Sequence, residues 1–488
     1  MLAGAAAVAA FALPGSPTRV QLLPIVPAAQ RPLVTAIFDP ALFVGPQSAA
    51  AFRRARAAGA TAARLSVSWA DVAPPGTQKP AKFDQADPRD PNYRFASVDE
   101  QVKEAVAAGL EPIIDVWGAP FWVLHGIGRR PQDGPVRPSQ DSFGEFVHAL
   151  AARYSGRVLG LPRVRYWEAW NEPNVSIYLM PQYGSRNRPV SPDLYRDLLN
   201  EFSDAVHGVH ASNVVAAGAL SPFSVRNAAV DTVGPLDFLR RLLCVSADPR
   251  PHSTCRDTVS FDVLSFHPYT SGAPTHHASN ANDLSLGDIS KLRPILSAAR
   301  QLGHLRSTGP LRFWVTEFSW NTDPPDPTAA PIGLQSRWVA EALHDAWLDG
   351  VTLFTWFTLH DDPVPQDFQS GLYFRGATFA QDRPKPTLTA FRFPFVANRR
   401  GGLAAIWGRT PTSGPGTVAV ERRAGAGWQV VETFRANRYG IFEGKVRVAS
   451  ADRVLRAAFS GSASLAFALD PPANENLSVS PFGISSKK

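Results

Sequence analysis

Short apolar runs of β-strand type recur along the first four hundred residues and alternate with amphipathic stretches. This alternation is typical of strand–helix–strand units in a parallel sheet. Eight strands with helices between them predict a closed (β/α)8 barrel, the TIM-barrel form of the α/β class. The eight runs are Leu33–Asp39, Ala63–Trp69, Glu111–Trp117, Val164–Trp170, Val214–Gly218, Phe261–His267, Arg312–Phe318 and Val351–Phe357.

Three amphipathic stretches between these runs end at a glycine, which is a common signal for the end of a helix. They are Ser48–Ala58, Val98–Ala108 and Gln335–Asp349. An open doubly wound sheet is the alternative architecture, and it calls for a glycine-rich phosphate loop after the first strand. The sequence has Phe38-Asp39-Pro40 at that place. The pattern therefore favours the barrel.

The pattern changes after about residue 398, where short alternating runs are separated by glycine-rich turns. The runs Thr417–Glu421, Trp428–Thr433 and Lys445–Ala449 predict a small C-terminal β-sandwich, either a brace for the fold or a carbohydrate-binding module. We divide the chain into a signal-like apolar segment with a linker (1–30), the barrel (31–398), the β-sandwich (399–470) and a disordered tail rich in Pro, Ser and Asn (471–488).

An apolar run at residues 2–13 has about the length of a signal-peptide core and is too short to span a bilayer. It predicts export, so we expect a secreted or cell-envelope-associated protein. The positively charged residues that usually precede such a core are missing, and an uncleaved apolar tail is the alternative. No later stretch reaches transmembrane length without charges, so we expect no membrane span.

The chain has only two cysteines, Cys244 and Cys255, eleven positions apart. A cysteine-based metal site would bring further Cys or His at regular spacing, so zinc is disfavoured. In an exported protein the two thiols would close a short disulfide loop. Two unpaired buried thiols are the alternative.

Charge and aromatic content narrow the partners. The net charge is +7, but no run of five or six basic residues occurs, so we expect no nucleic-acid partner. The 12 Trp, 9 Tyr and 29 Phe can stack on sugar rings as well as fill a core. His360-Asp361-Asp362 lacks the alternating oxygen ligands of a calcium loop, and we expect neither a metal nor another cofactor. No obligate protein partner is evident.

Two glutamates lie at strand ends, where parallel barrels carry their chemistry. Glu172 follows the fourth run in Trp170-Asn-Glu-Pro173, and Glu317 follows the seventh in Thr316-Glu-Phe318. A carboxylate flanked by aromatic residues is costly to bury without a function or a partner. Two of them, on strands that face each other across a barrel, match the pair that glycosidic cleavage needs.

These two motifs resemble those of clan A glycoside hydrolases, and the loop Trp117-Gly-Ala-Pro-Phe-Trp122 leans toward family 39 rather than family 5. The resemblance covers about residues 32–398. It implies that Glu172 is the general acid/base and that Glu317 is the nucleophile of a retaining enzyme.

The resemblance also implies roles for neighbouring positions. Arg64 is similar to the clan's arginine beside the nucleophile, and His267-Pro-Tyr269 is similar to the His-x-Tyr of family 5, whose tyrosine donates to the nucleophile. A salt bridge elsewhere in the core and a satisfied core histidine are the respective alternatives. Asn171 would hold the sugar 2-hydroxyl.

Three tryptophans complete the candidate site. Trp356, at the end of the eighth run, is similar to the clan's sugar platform, while Trp117 and Trp320 either line further subsites or pack in the core. The resulting hypothesis is a retaining hydrolase that cleaves the O-glycosidic, most simply β, bonds of a carbohydrate substrate. A transglycosylase that uses the same covalent intermediate is one alternative, and a catalytically silent sugar-binding barrel is the other.

Overall fold

The computed structural model describes residues 20–128, 130, 132–307, 309–364 and 368–481. The apolar run at 2–13, from which export was predicted, lies outside these residues, as does the last part of the C-terminal tail. Every structural statement below concerns the described residues.

Eight parallel strands close into a barrel, and all eight predicted strands are confirmed. The barrel closes because β1 pairs with β8 as well as with β2. The strands are β1 Val34–Phe38, β2 Ala62–Ser68, β3 Glu111–Trp117, β4 Tyr166–Ala169, β5 Val214–Leu220, β6 Val263–Phe266, β7 Phe313–Val315 and β8 Val351–Phe357.

Side chains of alternate strand residues fill the barrel interior, because successive residues of a strand point to opposite faces. The inner layer is small and apolar, and it is built from Ala36, Ala62, Ile113, Val214, Ala216, Val263, Trp314 and Leu353. This layer closes the barrel beneath the strand ends. Polar inward residues above it therefore lie at the mouth.

Helices surround the barrel, and the three predicted from periodicity are confirmed within a few residues. They are α1 Ser48–Ala57, α2 Trp69–Val72, α3 Ala96–Ala107, α4 Gln140–Arg153, α5 Ser191–Val209, α6 Pro235–Leu242, α7 Leu292–Gln301, α8 Ile332–Leu348 and α9 Pro386–Arg392. None of these helices has the length and the apolar character that crossing a bilayer requires.

Shorter elements occur in the connections. The 3₁₀ helices are Ala28–Gln30, Phe121–Val123, Ser185–Asn187, Leu286–Lys291 and Phe379–Gln381. The two-residue strands are Val259–Ser260, Leu305–Arg306, Thr322–Asp323, Ala330–Pro331, Tyr373–Phe374, Arg383–Pro384, Ser462–Ala463 and Phe467–Ala468. Some of them lie in the loops that follow barrel strands, such as Phe121–Val123 after β3, Ser185–Asn187 after β4 and Thr322–Asp323 after β7.

The β-rich region predicted after the barrel is present and consists of antiparallel sheets. In one sheet β10 pairs with β9 and β13, and in the other β11 pairs with β12 and β14. The strands are β9 Phe395–Arg400, β10 Leu403–Arg409, β11 Gly416–Ala424, β12 Gly427–Ala436, β13 Ile441–Arg447 and β14 Val454–Phe459.

A buried arginine joins this region to the barrel. Arg409 donates hydrogen bonds to the carbonyl oxygen of Leu33 at 3.0 Å and to Thr35 Oγ1 at 2.9 Å. Trp407 packs against Trp347 of α8, with ring centroids 5.7 Å apart. Burial lowers the pKa of Arg409 to about 10. These contacts are of the kind that a brace for the barrel requires.

The segment from residue 471 onward was predicted to be a disordered tail, and its described part runs to residue 481. In that part the backbone N–H of Val479 donates to the carbonyl oxygen of Ser271 at 2.9 Å. The Val479 side chain is buried.

The two cysteines form the predicted disulfide. Cys244 follows α6, and its Cα lies 5.1 Å from that of Cys255, within the range that a disulfide bridges. The backbone N–H of Thr254 donates to the carbonyl oxygen of Cys244 at 2.9 Å, so the loop closes through the backbone as well.

Replacing both Cys244 and Cys255 by serine should lower the free energy of unfolding by about 2–3 kcal/mol, because the unfolded chain regains the entropy that the closed loop removes. Chemical unfolding with and without a reductant measures this difference. A reductant should destabilise the parent protein to the same extent and leave the double variant unchanged. An equal effect of the reductant on both proteins would contradict the prediction.

Candidate active site

Arg64 is the centre of a buried polar cluster at the barrel mouth. It lies on β2 with no exposed side-chain surface. Its Nε donates to Glu168 Oε2 at 2.7 Å, and its Nη2 donates to Asn171 Oδ1 at 2.9 Å. Nη2 also lies 3.1 Å from Asp115 Oδ2, and Nη1 lies 3.5 Å from Glu317 Oε2. One guanidinium therefore connects β2, β3 and β4 to the end of β7.

Burial and the neighbouring charges shift the pKa of both the arginine and a carboxyl group in this cluster. Burial lowers the pKa of Arg64, but Asp115, Glu168 and Glu317 outweigh it and hold that pKa above its ordinary value. Burial raises the pKa of Asp115 to about 7, since the lowering effect of Arg64 is smaller and Glu168 acts in the opposite direction. The cluster therefore contains a carboxyl group that titrates near neutrality.

Glu172 is positioned by an unusual backbone at the end of β4. Trp170 and Glu172 have φ of 70° and 42°, in the left-handed region that residues other than glycine rarely adopt. The N–H of Glu172 donates to the carbonyl oxygen of Ala219, at the end of the neighbouring strand β5, at 3.1 Å. These constraints fix the direction in which the Glu172 side chain leaves the strand.

Glu317 follows β7 and receives two donors. The hydroxyl of Tyr269 donates to Oε1 at 2.8 Å, and Arg64 lies on the side of Oε2. Burial raises the pKa of Glu317, and Glu172 adds to the rise, while His267, Arg64 and Tyr269 lower it. The pKa of Glu317 is raised overall, because burial and the proximity of Glu172 together outweigh the lowering by His267, Arg64 and Tyr269.

His267 lies between the two glutamates. Its Nδ1 is 2.9 Å from Glu172 Oε1 and 4.0 Å from Glu317 Oε2, so both carboxylates reach the same ring nitrogen. Burial lowers the pKa of His267, but Glu317 and Glu172 outweigh burial and raise it. His267 itself is fully buried. The imidazole therefore lies within ion-pair distance of both carboxyl groups.

The two glutamates are the accessible members of this cluster. Their side chains are 16% and 15% exposed, whereas Arg64 and His267 are fully buried beneath them. Two carboxyl groups that open to the mouth and share an imidazole can supply one proton donor and one nucleophile. The six residues predicted as the core of the site, Arg64, Asn171, Glu172, His267, Tyr269 and Glu317, are thus brought together.

The structure does not bring Trp356 to this cluster. Its side chain is fully buried, packs against Phe318 and Phe391, and donates from Nε1 to the carbonyl oxygen of Ser370 at 2.9 Å. The expected platform role fails on geometry, because alternate residues of β8 face inward and Leu353 belongs to the inner layer. Phe357 has the inward position.

Phe357 is the aromatic residue that β8 places at the mouth. It pairs in register with Phe38 of β1, and the two ring centroids are 5.4 Å apart. The Arg64 guanidinium lies 4.6 Å from the centroid of the Phe38 ring. An apolar wall therefore borders the charged cluster on the side of β1 and β8.

The sequence allowed two interpretations of Trp117 and Trp320, as subsite residues or as core residues. The structure places them differently. Trp117 ends β3 with a partly exposed side chain, and its Nε1 donates to Ser66 Oγ at 2.6 Å. Trp320 is buried, packs against Trp338 and donates to the carbonyl oxygen of Gly272. Trp117 therefore lies at the mouth, and Trp320 is part of the core.

The loop His360-Asp361-Asp362 forms contacts within the fold. His360 Nδ1 is 2.9 Å from Asp382 Oδ2, and the buried Lys385 Nζ donates to Asp361 Oδ1 at 2.6 Å. One group of three potential metal ligands, Cys244, Cys255 and Asp257, occurs in the described part of the chain. Its two sulfur atoms are joined to each other in the disulfide.

Sequence reasoning missed Asp115 and Glu168, which lie in register with each other and with Ser66 on adjacent strands. The alternation of inward and outward side chains along a strand could have revealed these residues. Asp115 stands two positions from Ile113 and from Trp117 in an otherwise apolar strand, so all three point into the barrel. A polar side chain at an inward position near a strand end marks the cluster without any motif.

Replacing Asp115 by asparagine should change how stability depends on pH. Because the pKa of Asp115 is about 7 in the folded state and about 4 in the unfolded chain, its contribution to stability is present at acidic pH and is lost as the pH rises toward 7. Thermal unfolding of the parent and Asp115→Asn should therefore differ increasingly in favour of the variant from about pH 4 to about pH 7, and the difference should level off above that. Asp204→Asn, at an exposed position of α5, is the control. A difference that does not vary with pH would contradict the assignment.

No protein-family model matches the sequence, and no curated protein matches it. Solved structures do resemble the fold. A family 39 glycoside hydrolase from Xanthomonas axonopodis pv. citri is 14% identical over 90% of this chain and 97% of its own, with a TM-score of 0.50.

Two further solved structures are a family 39 glycoside hydrolase from Bacteroides cellulosilyticus WH2 and a family 30 endoxylanase from Clostridium papyrosolvens C71. The first is 16% identical over 88% of this chain and 83% of its own, with a TM-score of 0.49. The second is 10% identical over 88% of this chain and 98% of its own, with a TM-score of 0.44. At these identities, the likeness to the Xanthomonas structure shows that this chain has the same fold.

Proposed function

We propose that this chain is a retaining glycoside hydrolase that acts on a β-linked carbohydrate by double displacement. Glu317 attacks the anomeric carbon and forms a covalent glycosyl-enzyme while Glu172 protonates the departing oxygen. Glu172 then removes a proton from the water that releases the sugar with its configuration retained.

The observation that carries this proposal is the meeting of the two carboxyl groups at His267 Nδ1, at 2.9 Å and 4.0 Å. A retaining pair lies closer together than an inverting pair, which must leave room for a water molecule. Two carboxyl groups that reach the same nitrogen atom support the shorter spacing. A sugar-binding protein that performs no chemistry has no need of this arrangement.

The surroundings divide the roles between the two glutamates. Glu317 accepts a hydrogen bond from Tyr269 and faces Arg64, and both partners favour its charged form and so offset part of the rise in pKa that burial causes. Glu172 instead shares a hydrogen bond with His267 Nδ1. This contact holds the Glu172 carboxyl group beside the imidazole, at the place from which the proposed mechanism requires a proton donor.

Asn171 fits the expected contact with the substrate. Its Oδ1 accepts from Arg64 at 2.9 Å, so the amide is held with its NH₂ group directed away from the guanidinium. An NH₂ group in that orientation can donate to a sugar 2-hydroxyl, a bond that strengthens as positive charge develops on the ring. Interception of the same intermediate by a sugar hydroxyl would make the chain a transglycosylase, which product analysis separates from hydrolysis.

We also propose that the protein works outside the cytoplasm. The disulfide between Cys244 and Cys255 supports this location, because such bonds persist in oxidising compartments. The apolar run at residues 2–13 supports it as well.

Glu317→Ala should lose nearly all turnover on every glycoside, including aryl glycosides with good leaving groups, because no covalent intermediate forms. Azide should restore only a product of inverted configuration, since it enters from the side that the carboxylate occupied. Rates on an aryl glycoside panel and NMR of the azide product measure this. Glu100→Ala, on the exposed face of α3, is the control and should keep full activity.

Glu172→Ala should fail differently. Substrates whose leaving group needs a proton should lose about 10²–10⁴-fold in rate, while an activated aryl glycoside should still form the intermediate and stall there. Azide should release it as a product of retained configuration. The reverse pattern in the two variants would exchange the roles assigned here, and full activity in both would refute the site.

Tyr269→Phe should move the acidic limb of the pH–rate profile to higher pH. The tyrosine hydroxyl lowers the pKa of Glu317, so its loss raises that pKa further and the nucleophile becomes protonated at a higher pH. The value of kcat/KM at the optimum should fall by about 10- to 100-fold, the range for a hydrogen bond to a charged group. Tyr93→Phe, which loses a bond to the carbonyl oxygen of Gln85, should leave the profile unchanged.

A further inference from the structure

An apolar groove runs from the barrel mouth between the loops that follow β3 and β4. We define it by Trp117, Phe121, Leu124, Ile127, Val136 and Ile177, which line a cavity of about 380 Å³. Trp117 forms its inner end, at the carboxyl end of β3. The groove therefore opens directly beside the candidate active site.

Several apolar side chains of the groove are exposed. Phe121 is 75% exposed, Ile127 is 94% exposed and Ile177 is 39% exposed. These are three of the twelve large apolar side chains with the greatest exposure in the described part of the chain. Single exposed apolar residues are ordinary, but several on one concave surface mark a binding groove.

The wall of the groove is continuous with the segment that carries Glu172. The N–H of Gly134 donates to the carbonyl oxygen of Ser176 at 2.7 Å, four residues after Glu172. A Cβ at Gly134 would lie 2.6 Å from the backbone of Ile177, so only glycine permits this approach. The Trp117 ring meets Tyr178 edge-on, with centroids 5.5 Å apart. The groove therefore lies on the side of the proton donor, where a leaving group departs.

The described residues that line the groove carry little charge. Asp133 is the one ionisable residue among the described residues that line it, and its side chain is fully buried. Both of its oxygens accept from Arg130, from the backbone N–H and from Nε. A second sugar would bring hydroxyl groups that need hydrogen-bonding side chains, and an anionic group would need a free cation. The lining offers chiefly apolar surface.

From this geometry we propose that the groove binds the leaving group of the substrate, and that this group is a neutral, apolar alkyl or aryl aglycone rather than a second sugar. The inference rests on the proposed hydrolysis, which supplies the reaction and the departing group. It narrows the substrate class from carbohydrates in general to glycosides of apolar alcohols.

The test compares the hexyl and methyl β-glycosides of whichever sugar the aryl panel shows to be accepted. The two alcohols have closely similar acidity, so the leaving groups differ chiefly in apolar area. We expect kcat/KM to be about tenfold higher for the hexyl glycoside, by burial of the alkyl chain. Phe121→Ser with Ile127→Ser should remove this preference and leave the methyl glycoside unaffected. Leu159→Ser, at a fully exposed position away from the groove, is the control.

Several results would overturn the inference. Equal kcat/KM for the two glycosides, or a preference that the double variant keeps, would show that the groove does not hold the alkyl chain. A larger loss in the double variant on a disaccharide than on the hexyl glycoside would assign the groove to a second sugar. Thermal unfolding of each variant verifies the fold, and both substituted residues are exposed.

A binding measurement distinguishes failure of the proposed hydrolysis from failure of the groove to bind an alkyl chain. If no glycoside is turned over, the change in tryptophan fluorescence on adding the hexyl and the methyl β-glycoside of each sugar in the panel still reports whether the groove binds the alkyl chain. Tighter binding of the hexyl glycoside that the double variant loses would support the groove while refuting hydrolysis. The absence of any difference would refute the groove independently of activity.

Discussion

The burial of the Arg64 guanidinium is the constraint on which the rest of the mouth depends. A cation without exposed surface is tolerated only when its donors are satisfied by oppositely charged or polar partners. Asp115 and Glu168 supply charge from β3 and β4, and Asn171 accepts from the same nitrogen that faces Asp115. The remaining nitrogen is directed at Glu317. Because its neighbours fix the guanidinium, it in turn fixes the carboxylate above it.

This arrangement separates a buried layer from an accessible one. Beneath the mouth, charges are balanced among groups that meet no solvent, and a protonated Asp115 costs little because its pKa is near 7. At the surface of the cluster, Glu172 and Glu317 both lie beside His267 Nδ1, at 2.9 Å and 4.0 Å. Burial and the neighbouring Glu172 raise the pKa of Glu317, while His267, Arg64 and Tyr269 lower it.

The sequence was informative where a single physical rule acts. Strand positions followed from apolar runs, and Glu172 and Glu317 followed from the rule that barrel chemistry lies at strand ends. The sequence assigned the platform to Trp356, one residue before the inward-facing Phe357. In a strand that is buried on both faces, such as Val351–Phe357, the sequence does not show which alternate residues face the barrel interior. The buried packing of Trp320 depends on Trp338 of α8, a contact between segments that no local pattern specifies.

Loops, and not the barrel strands, determine the shape of the groove at the mouth. The candidate catalytic cluster is attached to strand ends, whose register the barrel fixes, whereas the groove beside it belongs to the loop after β3 and to the segment after Glu172. The loop after β3 and the segment after Glu172 meet at Gly134, whose lack of a side chain permits backbone contact with Ile177. Phe121 and Ile127 belong to the loop after β3, so substitutions there change the groove wall and leave the strand ends that carry the carboxyl groups in place. Conversely, a change at Gly134 would displace the groove wall and the Glu172 segment together, since both share that contact.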